Sequence, residues 1–198
     1  MTLLIESIKV WQKKFYLLDL HEQRFNAARK HFFGATPICL QQTLTIPNHL
    51  DSGLYKCRIV FDEQIQTVEF QHYEPKPPRT LQVVRTDHVD YAFKYADRNH
   101  LNQLFAQRQN ADDILILKHG YFTDTWYCNI AFYDGQEWFT PDRPLLNGIK
   151  RQFLLANKQL KALPLGITDL HNFVGFALIN AMLDLDTAYL NPIGNIWY

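Results

Sequence analysis

One lysine lies where a charged side chain is least expected. Lys94 belongs to the sequence VDYAFKYA, in which most neighbours are aromatic or small. Burial among such residues strips water from an ammonium group, lowers its pKa and frees the amine to attack a carbonyl carbon. A lysine at a strand edge, whose ammonium group reaches water along its alkyl chain, fits the same pattern. The segment therefore indicates either a nucleophilic amine or an ordinary edge lysine.

Two further segments could bind an anion. Arg24 follows His21 by about one helical turn in the sequence LHEQRFNAA, and its guanidinium could either lie on the surface or clamp a phosphate. Asn147-Gly148 comes just before a predicted helix, whose first backbone N–H groups favour a phosphate. Many helices begin after Asn-Gly, so the second pattern is weak by itself.

A carboxylate and an amide lie among aromatic residues in the sequence GYFTDTWYCNI, where they are Asp124 and Asn129. A buried carboxylate needs a cationic partner, and a protonated pyridine nitrogen would be a suitable one. Alternatively, Asp124 binds backbone N–H groups of the nearby turn. Arg58, in KCRIVF, is the best candidate to bind a substrate carboxylate, although an ion pair within the fold would explain it equally well.

Several other chemistries lack their motifs. The sequence has no HExxH, CxxC, GxSxG, GxxxxGK[ST] or GxGxxG, which removes the common zinc, thiol, serine-hydrolase, P-loop and dinucleotide sites, and we predict no metal site. Basic and acidic residues number 20 each, whereas a nucleic-acid-binding protein needs a basic excess. The longest apolar run, 173–183, is too short to span a membrane. We interpret Cys39, Cys57 and Cys128 as reduced core thiols of a cytoplasmic protein.

A nucleophilic lysine, a phosphate site and a buried carboxylate form the set that a pyridoxal phosphate enzyme requires. In this order and spacing they resemble the class IV aminotransferase family of pyridoxal phosphate fold type IV, which includes branched-chain and D-amino acid aminotransferases and aminodeoxychorismate lyase. Four segments carry the resemblance. Leu20–Ala28 is similar to the family's H-L-x-R-L, and Lys94–Arg98 is similar to its K-x-x-x-R. Gly120–Ile130 is similar to its G-x-[VI]-x-E-x-x-x-x-N-[IVL], and Thr140–Arg151 is similar to its T-P followed by L-x-G-I-x-R.

The resemblance implies a role for each matching residue. Lys94 would be the Schiff-base lysine and the general acid and base of the reaction. The other cofactor-binding residues would be Arg24 and the backbone of Gly148, Ile149 and Lys150 at the phosphate, Leu146 on the ring, Asp124 at the pyridine nitrogen with Asn129 in the same segment, and Asn180-Ala181 close to the phosphate.

Three positions depart from the family pattern. Asp124 stands where glutamate is usual, so its carboxylate is one methylene shorter. Trp126 replaces a small residue near the ring, and Lys150 replaces a common threonine. The family's usual N-terminal leader has no counterpart before Leu4, which predicts a shortened first domain.

The resemblance also implies a function. We expect pyridoxal 5'-phosphate as cofactor and an aminodeoxychorismate lyase-like reaction that releases pyruvate and 4-aminobenzoate, since the compact first domain and Asn180-Ala181 resemble the lyase-like members. The alternatives are a class IV aminotransferase, which moves an amino group between an amino acid and a 2-oxo acid, and a non-catalytic member of the fold. The expected partners are a small-molecule substrate and a second copy in a cytoplasmic homodimer, with no nucleic acid and no membrane.

A chain of 198 residues must position these groups, and this length is enough for one large domain or two small ones. The sequence EPKPPR at 74–79 interrupts regular structure, because prolines disfavour both helix interiors and central strands. We predict a boundary near residue 85, with a small α+β domain at 1–84 and a larger cofactor-binding α/β domain at 85–198. This is the two-domain architecture of fold type IV with a shortened N-terminal domain.

Hydrophobic spacing and turn residues predict the elements of each domain. The first domain would contain strands over 3–10, 15–18, 55–61 and 64–73, and a helix capped by Asp19 and stopped by Gly34. The second would contain strands over 81–84, 113–118, 126–133 and 137–139, a turn at Asp134-Gly135, and helices over 99–109, 149–160 and from Thr168 through Leu183.

Overall fold

The computed structural model describes residues 2–198, which divide into two compact units. The first contains residues 2–75 together with 93–97, and the second contains 76–92 together with 98–198. This division differs from the predicted boundary near residue 85, because the strand Leu81–Arg85 pairs with a strand of the second unit. The segment that carries Lys94 belongs to the first unit.

The first unit is an antiparallel sheet with one long helix. Its elements are β1 (Leu4–Trp11), β2 (Lys14–Phe15), α1 (Leu18–Phe33), α2 (Leu40–Thr43), β3 (Tyr55–Phe61) and β4 (Ile65–His72), and the strand order is β2-β1-β3-β4. Inward-facing side chains alternate along β1, as the two-residue period of a strand requires. Leu4, Ile8 and Val10 share an apolar cluster with Phe25 of α1 and Ile59 of β3.

Both ends of α1 are flanked by residues with left-handed backbone. Leu17 precedes the helix with φ 53° and caps it with no side chain. The prediction that Asp19 caps the helix is wrong, because Asp19 lies inside the first turn, where its charge favours the positive end of the helix dipole. The helix ends before Gly34, as predicted; Gly34 has φ 64°, and its N–H donates to the Lys30 carbonyl at 3.0 Å.

The second unit contains two sheets. Its elements are β5 (Leu81–Arg85), α3 (Asn99–Phe105), β6 (Asp113–Lys118), β7 (Tyr121–Phe122), β8 (Asn129–Tyr133), β9 (Trp138–Pro141), α4 (Ile149–Ala156), β10 (Lys161–Leu163), β11 (Gly175–Ile179), β12 (Asn191–Pro192) and β13 (Ile196–Trp197). The strand orders are β13-β5-β6-β7 and β10-β9-β8-β11-β12. One apolar cluster joins residues of both sheets, among them Leu115 of β6 and Phe176 of β11.

The predicted helix from Thr168 through Leu183 is wrong. A short 3-10 helix covers Ile167–Asn172, and β11 follows it between β8 and β12. All five residues of β11 are buried. A strand covered on both faces has a continuous apolar sequence instead of an alternating one, and periodicity cannot distinguish such a run from a buried helix.

The cysteines differ in exposure. Cys57 and Cys128 are buried free thiols, as predicted, whereas Cys39 is exposed, so the prediction of a core position is wrong for Cys39. Leu40, the next residue, takes the buried position at this point of the chain. Within residues 2–198, none of the helices has the length and apolar character that crossing a bilayer requires.

Candidate functional site

A carboxylate, an imidazole and a guanidinium form a buried network in the first unit. Glu6 lies on the inward face of β1 and is 1% exposed. Arg24 donates from Nε to Glu6 Oε1 at 2.7 Å and from Nη2 to Oε2 at 2.6 Å. Glu6 Oε2 also lies 2.6 Å from Nδ1 of His21. One carboxylate of β1 therefore orients two side chains of α1.

Glu6 is ionised and His21 is uncharged at neutral pH. Burial by itself would raise the pKa of Glu6, but the Arg24 charge and the hydrogen bond with His21 outweigh burial and hold this pKa at about 2. Burial lowers the pKa of His21 against the effect of Glu6. An ionised carboxylate only accepts hydrogen bonds, so Nδ1 of His21 carries the proton and Nε2 keeps a lone pair. This buried Nε2 has no hydrogen-bond partner within residues 2–198.

The backbone around Lys94 lies beside β1. The Ile5 N–H donates to the Lys94 carbonyl at 2.9 Å, and the Ala96 N–H donates to the Leu3 carbonyl at 2.9 Å. The Lys94 side chain is half-buried. Its positive charge contributes to the lowered pKa of His21, to which burial contributes most. The first unit thus brings Lys94 and Arg24, two of the predicted site residues, to the surroundings of Glu6 and His21.

In the second unit, Asp124 is a buried carboxylate that joins separate segments of the chain. Its Oδ1 accepts from Nδ2 of Asn129 at 2.8 Å, and its Oδ2 accepts from the Leu146 backbone N–H at 2.8 Å. Asn129 Nδ2 also donates to the Leu146 carbonyl at 3.0 Å. The backbone group that Asp124 binds is 22 residues away, not in the turn next to it.

Asp124 lies where a cation would be favourable. Burial raises its pKa to about 7, while the hydrogen bonds from Leu146 and Asn129 and the charge of Arg151 act in the opposite direction. Its two hydrogen-bond donors are uncharged, and each carboxylate oxygen has a second lone pair. Arg151 itself donates to Asn147 Oδ1 at 2.8 Å and to the Pro141 carbonyl at 2.9 Å. A cationic donor at Asp124 would therefore favour its ionised form.

The start of α4 packs directly on Asn129. Gly148 is the residue before the helix, and a Cβ atom on Gly148 would lie 2.1 Å from Asn129 Oδ1. A larger residue would displace the amide that binds Asp124. The first N–H groups of the helix, those of Ile149 and Lys150, have no acceptor within the helix. The hydrogen-bonded cluster of Asp124 therefore continues to a helix end that favours an anion.

The side chains of Lys150 and Asn180 bind other groups of the same chain. Lys150 Nζ forms an ion pair with Asp184. Asn180 Oδ1 accepts from the backbone N–H groups of Met182 at 2.7 Å and Leu183 at 3.0 Å, and its Nδ2 donates to Cys128 Sγ at 3.2 Å. Ala181 lies in the same turn. If Lys150 binds an anion, it therefore does so through its backbone N–H. The roles of Asn180 and Ala181 stay predictions.

Arg58 lies on the other face of the first unit's sheet. Its neighbours along β3, Cys57 and Ile59, are the buried residues of that strand. Arg58 pairs in register with Ser7 of β1 and with Glu69 of β4, so it does not join the network of Glu6. Glu69 is opposite Arg58 on the neighbouring strand, which is the position required for an ion pair within the fold. The substrate role of Arg58 stays a prediction.

Two charged residues of these clusters were not predicted. Glu6 interrupts the alternating apolar residues of β1 on their inward face, and this interruption was a signal of a buried carboxylate with a cationic partner. Arg151 closes the L-x-G-I-x-R segment, but nothing in the sequence separates a buried arginine from an exposed one at this position. Its burial follows from the packing of α4, where it is 5% exposed.

Comparisons with known proteins agree with the resemblance found in the sequence. Residues 63–185 match the family model described as amino-transferase class IV. A protein from Haemophilus influenzae (strain KW20), described as uncharacterized, is 33% identical over 182 residues, which cover 90% of this chain and 97% of the relative.

Solved structures share the fold. A candidate 4-amino-4-deoxychorismate lyase from Haemophilus somnus 129PT is 32% identical with a TM-score of 0.88, covering 93% of this chain and 98% of that one. An aminotransferase from Brucella abortus bound to pyridoxal phosphate is 16% identical with a TM-score of 0.71, covering 96% of this chain and 79% of that one. The chain therefore has the mixed α/β fold of type IV pyridoxal phosphate enzymes, and it belongs to the class IV aminotransferase family.

Proposed function

We propose that this chain is a pyridoxal phosphate-dependent enzyme with aminodeoxychorismate lyase-like activity, which releases pyruvate and 4-aminobenzoate. The observation that carries the proposal is the cluster of Asp124, Asn129 and Leu146 at the start of α4. In this cluster a buried carboxylate that favours a cation is hydrogen-bonded to Asn129 and Leu146, and Asn129 packs against a helix end that favours an anion. Pyridoxal phosphate has a protonatable pyridine nitrogen and a phosphate group, so its two polar ends match the two preferences.

The residues of the second unit fit the cofactor in their chemistry. Asp124 would hold a proton on the pyridine nitrogen, because burial disfavours its carboxylate charge until a cation is present. The backbone N–H groups of Ile149 and Lys150 would bind the phosphate. Leu146, whose backbone is fixed by Asp124 and Asn129, would pack on the ring.

Two residues of the first unit would also have roles at the cofactor. Arg24 uses Nε and Nη2 to bind Glu6, which leaves Nη1 to donate to the phosphate. Glu6 would thereby fix the direction of the guanidinium before any ligand binds. Lys94 would provide the amine that attaches covalently to the cofactor, and the same amine would move protons during the reaction.

When bound, the cofactor supplies an electron sink for bonds at the substrate α-carbon. The chain contributes the groups that hold it and move protons. The Lys94 amine would accept the proton that leaves the carbon bearing the amino group and would deliver a proton to the three-carbon group that leaves as pyruvate. Asp124, which is 6% exposed, would keep the pyridine nitrogen protonated throughout.

The lyase reaction is favoured by one relative. The Haemophilus somnus protein described as a candidate 4-amino-4-deoxychorismate lyase is 32% identical and covers 93% of this chain. An aminotransferase reaction between an amino acid and a 2-oxo acid is the second candidate, and the family description favours it. A non-catalytic member of the fold is the third, because Asp124 and Trp126 depart from the family pattern.

Two assays on the same preparation separate these functions. The purified protein, incubated with pyridoxal phosphate, is given 4-amino-4-deoxychorismate, and pyruvate and 4-aminobenzoate are measured together; a panel of amino acids with 2-oxo acids tests amino transfer. We expect equal amounts of pyruvate and 4-aminobenzoate, and neither product with Lys94→Ala. Amino transfer without pyruvate would favour the aminotransferase, and cofactor binding without either reaction would favour the non-catalytic member.

The predicted homodimer and cytoplasmic location belong to this proposal. Light scattering of the purified protein and fractionation of cells that produce it test the two predictions separately. A mass of one chain in solution would contradict the homodimer, and recovery outside the cytoplasmic fraction would contradict the location.

A further inference from the structure

We propose that a pocket in the second unit, at the start of β5, binds a small aromatic carboxylate. The pocket has a volume of about 400 Å³ and lies between Arg79, Phe105 and Trp126. Sites for small ligands have volumes of roughly 300–1,000 Å³, so the space suits a single ring with one substituent. None of the residues proposed to hold the cofactor lines this pocket.

One wall of the pocket is aromatic. The rings of Phe105 and Trp126 stack with centroids 4.5 Å apart and an interplanar angle of 24°, and Tyr127 meets Trp126 edge to face at 5.6 Å. Aromatic rings bind another ring by stacking or by edge-to-face contact. Because Arg98 lies over the Trp126 ring and Arg108 over the Phe105 ring, an aromatic ligand would contact these rings at their edges.

Trp126 is held in place from several directions. Its backbone N–H donates to Asp113 Oδ1 at 3.2 Å, and its indole Nε1 donates to Asn102 Oδ1 at 3.0 Å. Arg98 donates to its carbonyl and lies with the guanidinium carbon 4.6 Å from the centre of the ring. A ligand that binds a ring already fixed in this way loses little free energy in ordering the site.

Other residues of the pocket lining are prolines or carry a positive charge. Pro77 and Pro78 have restricted backbone conformations. Arg79 binds Asp112 Oδ2 through its backbone N–H at 2.9 Å, so its guanidinium is left to donate to a ligand. Lys76 also lines the pocket. The guanidinium of Arg79 is the group of the lining that favours an anion.

The aromatic residues and the arginine of the lining together indicate the chemical class of the ligand. A guanidinium binds a carboxylate through two parallel hydrogen bonds, and the tryptophan binds the attached ring. An aliphatic acid would lack the ring contact, and a neutral aromatic molecule would lack the charge contact. A benzoate-like molecule makes both contacts within the available volume.

The experiment follows the indole N–H signals of the full chain by ¹H–¹⁵N NMR during titration with benzoate. Comparison with Trp126→Phe identifies the Trp126 signal among those of the four tryptophans. We expect the Trp126 signal to shift and saturate with benzoate. Cyclohexanecarboxylate lacks the aromatic ring and benzyl alcohol lacks the charge. Each should bind about tenfold more weakly than benzoate.

The arginine variants decide whether this pocket is the site. Arg79→Gln should weaken benzoate binding at the Trp126 signal about tenfold, whereas Arg85→Gln, an exposed arginine of β5 outside the pocket, should leave it unchanged. A Trp126 signal that does not move, or an equal affinity in Arg79→Gln, would overturn the proposal. Because the readout is binding near Trp126 and not catalysis, its failure would leave the proposed enzyme function untouched.

Discussion

The guanidinium of Arg24 has two of its nitrogens bound to Glu6 and an edge left for an anion. We expect Arg24→Ala to weaken pyridoxal phosphate affinity by about 2–3 kcal/mol, the size of a lost charge-assisted hydrogen bond. Equilibrium dialysis measures the affinity, and circular dichroism checks the fold, since the change leaves Glu6 without its cation. Arg58→Ala, on the other face of the sheet, is the matched control. An affinity unchanged in Arg24→Ala would remove Arg24 from the site.

At Asp124 the question is whether its charge has a chemical role or only a structural one. We expect Asp124→Asn to bind the cofactor and to lose most of the proton-transfer activity, because a neutral amide cannot hold the ring nitrogen protonated. Steady-state kcat measures the loss. Asp124→Glu should work only if the pocket accepts another methylene, which costs roughly 1–3 kcal/mol in a packed site. Full activity in Asp124→Asn would mean that Asp124 only holds Leu146 and Asn129 in place.

At the scale of elements, the junction of Asn129 with α4 leaves no space for a side chain at Gly148. Gly148→Ala should lower the free energy of unfolding by roughly 1–3 kcal/mol, since the added methyl group forces Asn129 Oδ1 to move. Urea unfolding followed by fluorescence measures the change. Gly194→Ala is the control, because a Cβ there meets nothing within 4 Å; equal effects of the two substitutions would contradict the packing account.

The elements that the sequence predicts well are those whose patterns are local. The strands at Tyr55–Phe61 and Asp113–Lys118 have the predicted bounds, and Gly34 ends α1 through its own backbone conformation. β11 was missed because its burial on both faces depends on strands that are far away in the chain. The Asp124 cluster was predicted only as separate residues, because the bond from Leu146 to Asp124 spans 22 residues.

For the whole molecule, the family pattern identifies the fold, while the division into units needs the strand pairing. Proline spacing predicts an interruption near 74–79, but it does not reveal that β5 pairs with β6 or that 93–97 returns to the first unit. The partners of Glu6 could not be predicted for the same reason, because His21 and Arg24 lie 15 and 18 residues further along the chain. The burial of Glu6 has a local signal in the pattern of β1, but the identity of its partners follows from tertiary packing and has none.

The stability of the cofactor-free chain should depend on pH through Asp124. Burial raises the pKa of Asp124 from 3.8 to about 7. Between these values the folded chain keeps a proton that the unfolded chain releases, so the free energy of unfolding falls as pH rises. We expect the wild type to lose stability relative to Asp124→Asn between about pH 4 and 7, measured by urea unfolding at several pH values. A constant difference would contradict the raised pKa.

Glu6 does not disturb this measurement. Its folded-state pKa is about 2, below the ordinary value of 4.5, so its contribution to stability is fully present above pH 4.5 and is lost as pH falls toward 2. The two carboxylates therefore act in different pH ranges and in opposite directions.

The central claim is that Lys94 attaches pyridoxal phosphate, and one measurement tests it most directly. The purified protein is incubated with the cofactor, its absorption is recorded, and the complex is reduced with borohydride and mapped by peptide mass spectrometry. We predict a band at about 410–420 nm, a pyridoxyl group on Lys94, and no covalent attachment in Lys94→Ala. A pyridoxyl group on another lysine, or no band with intact wild-type protein, would contradict the account.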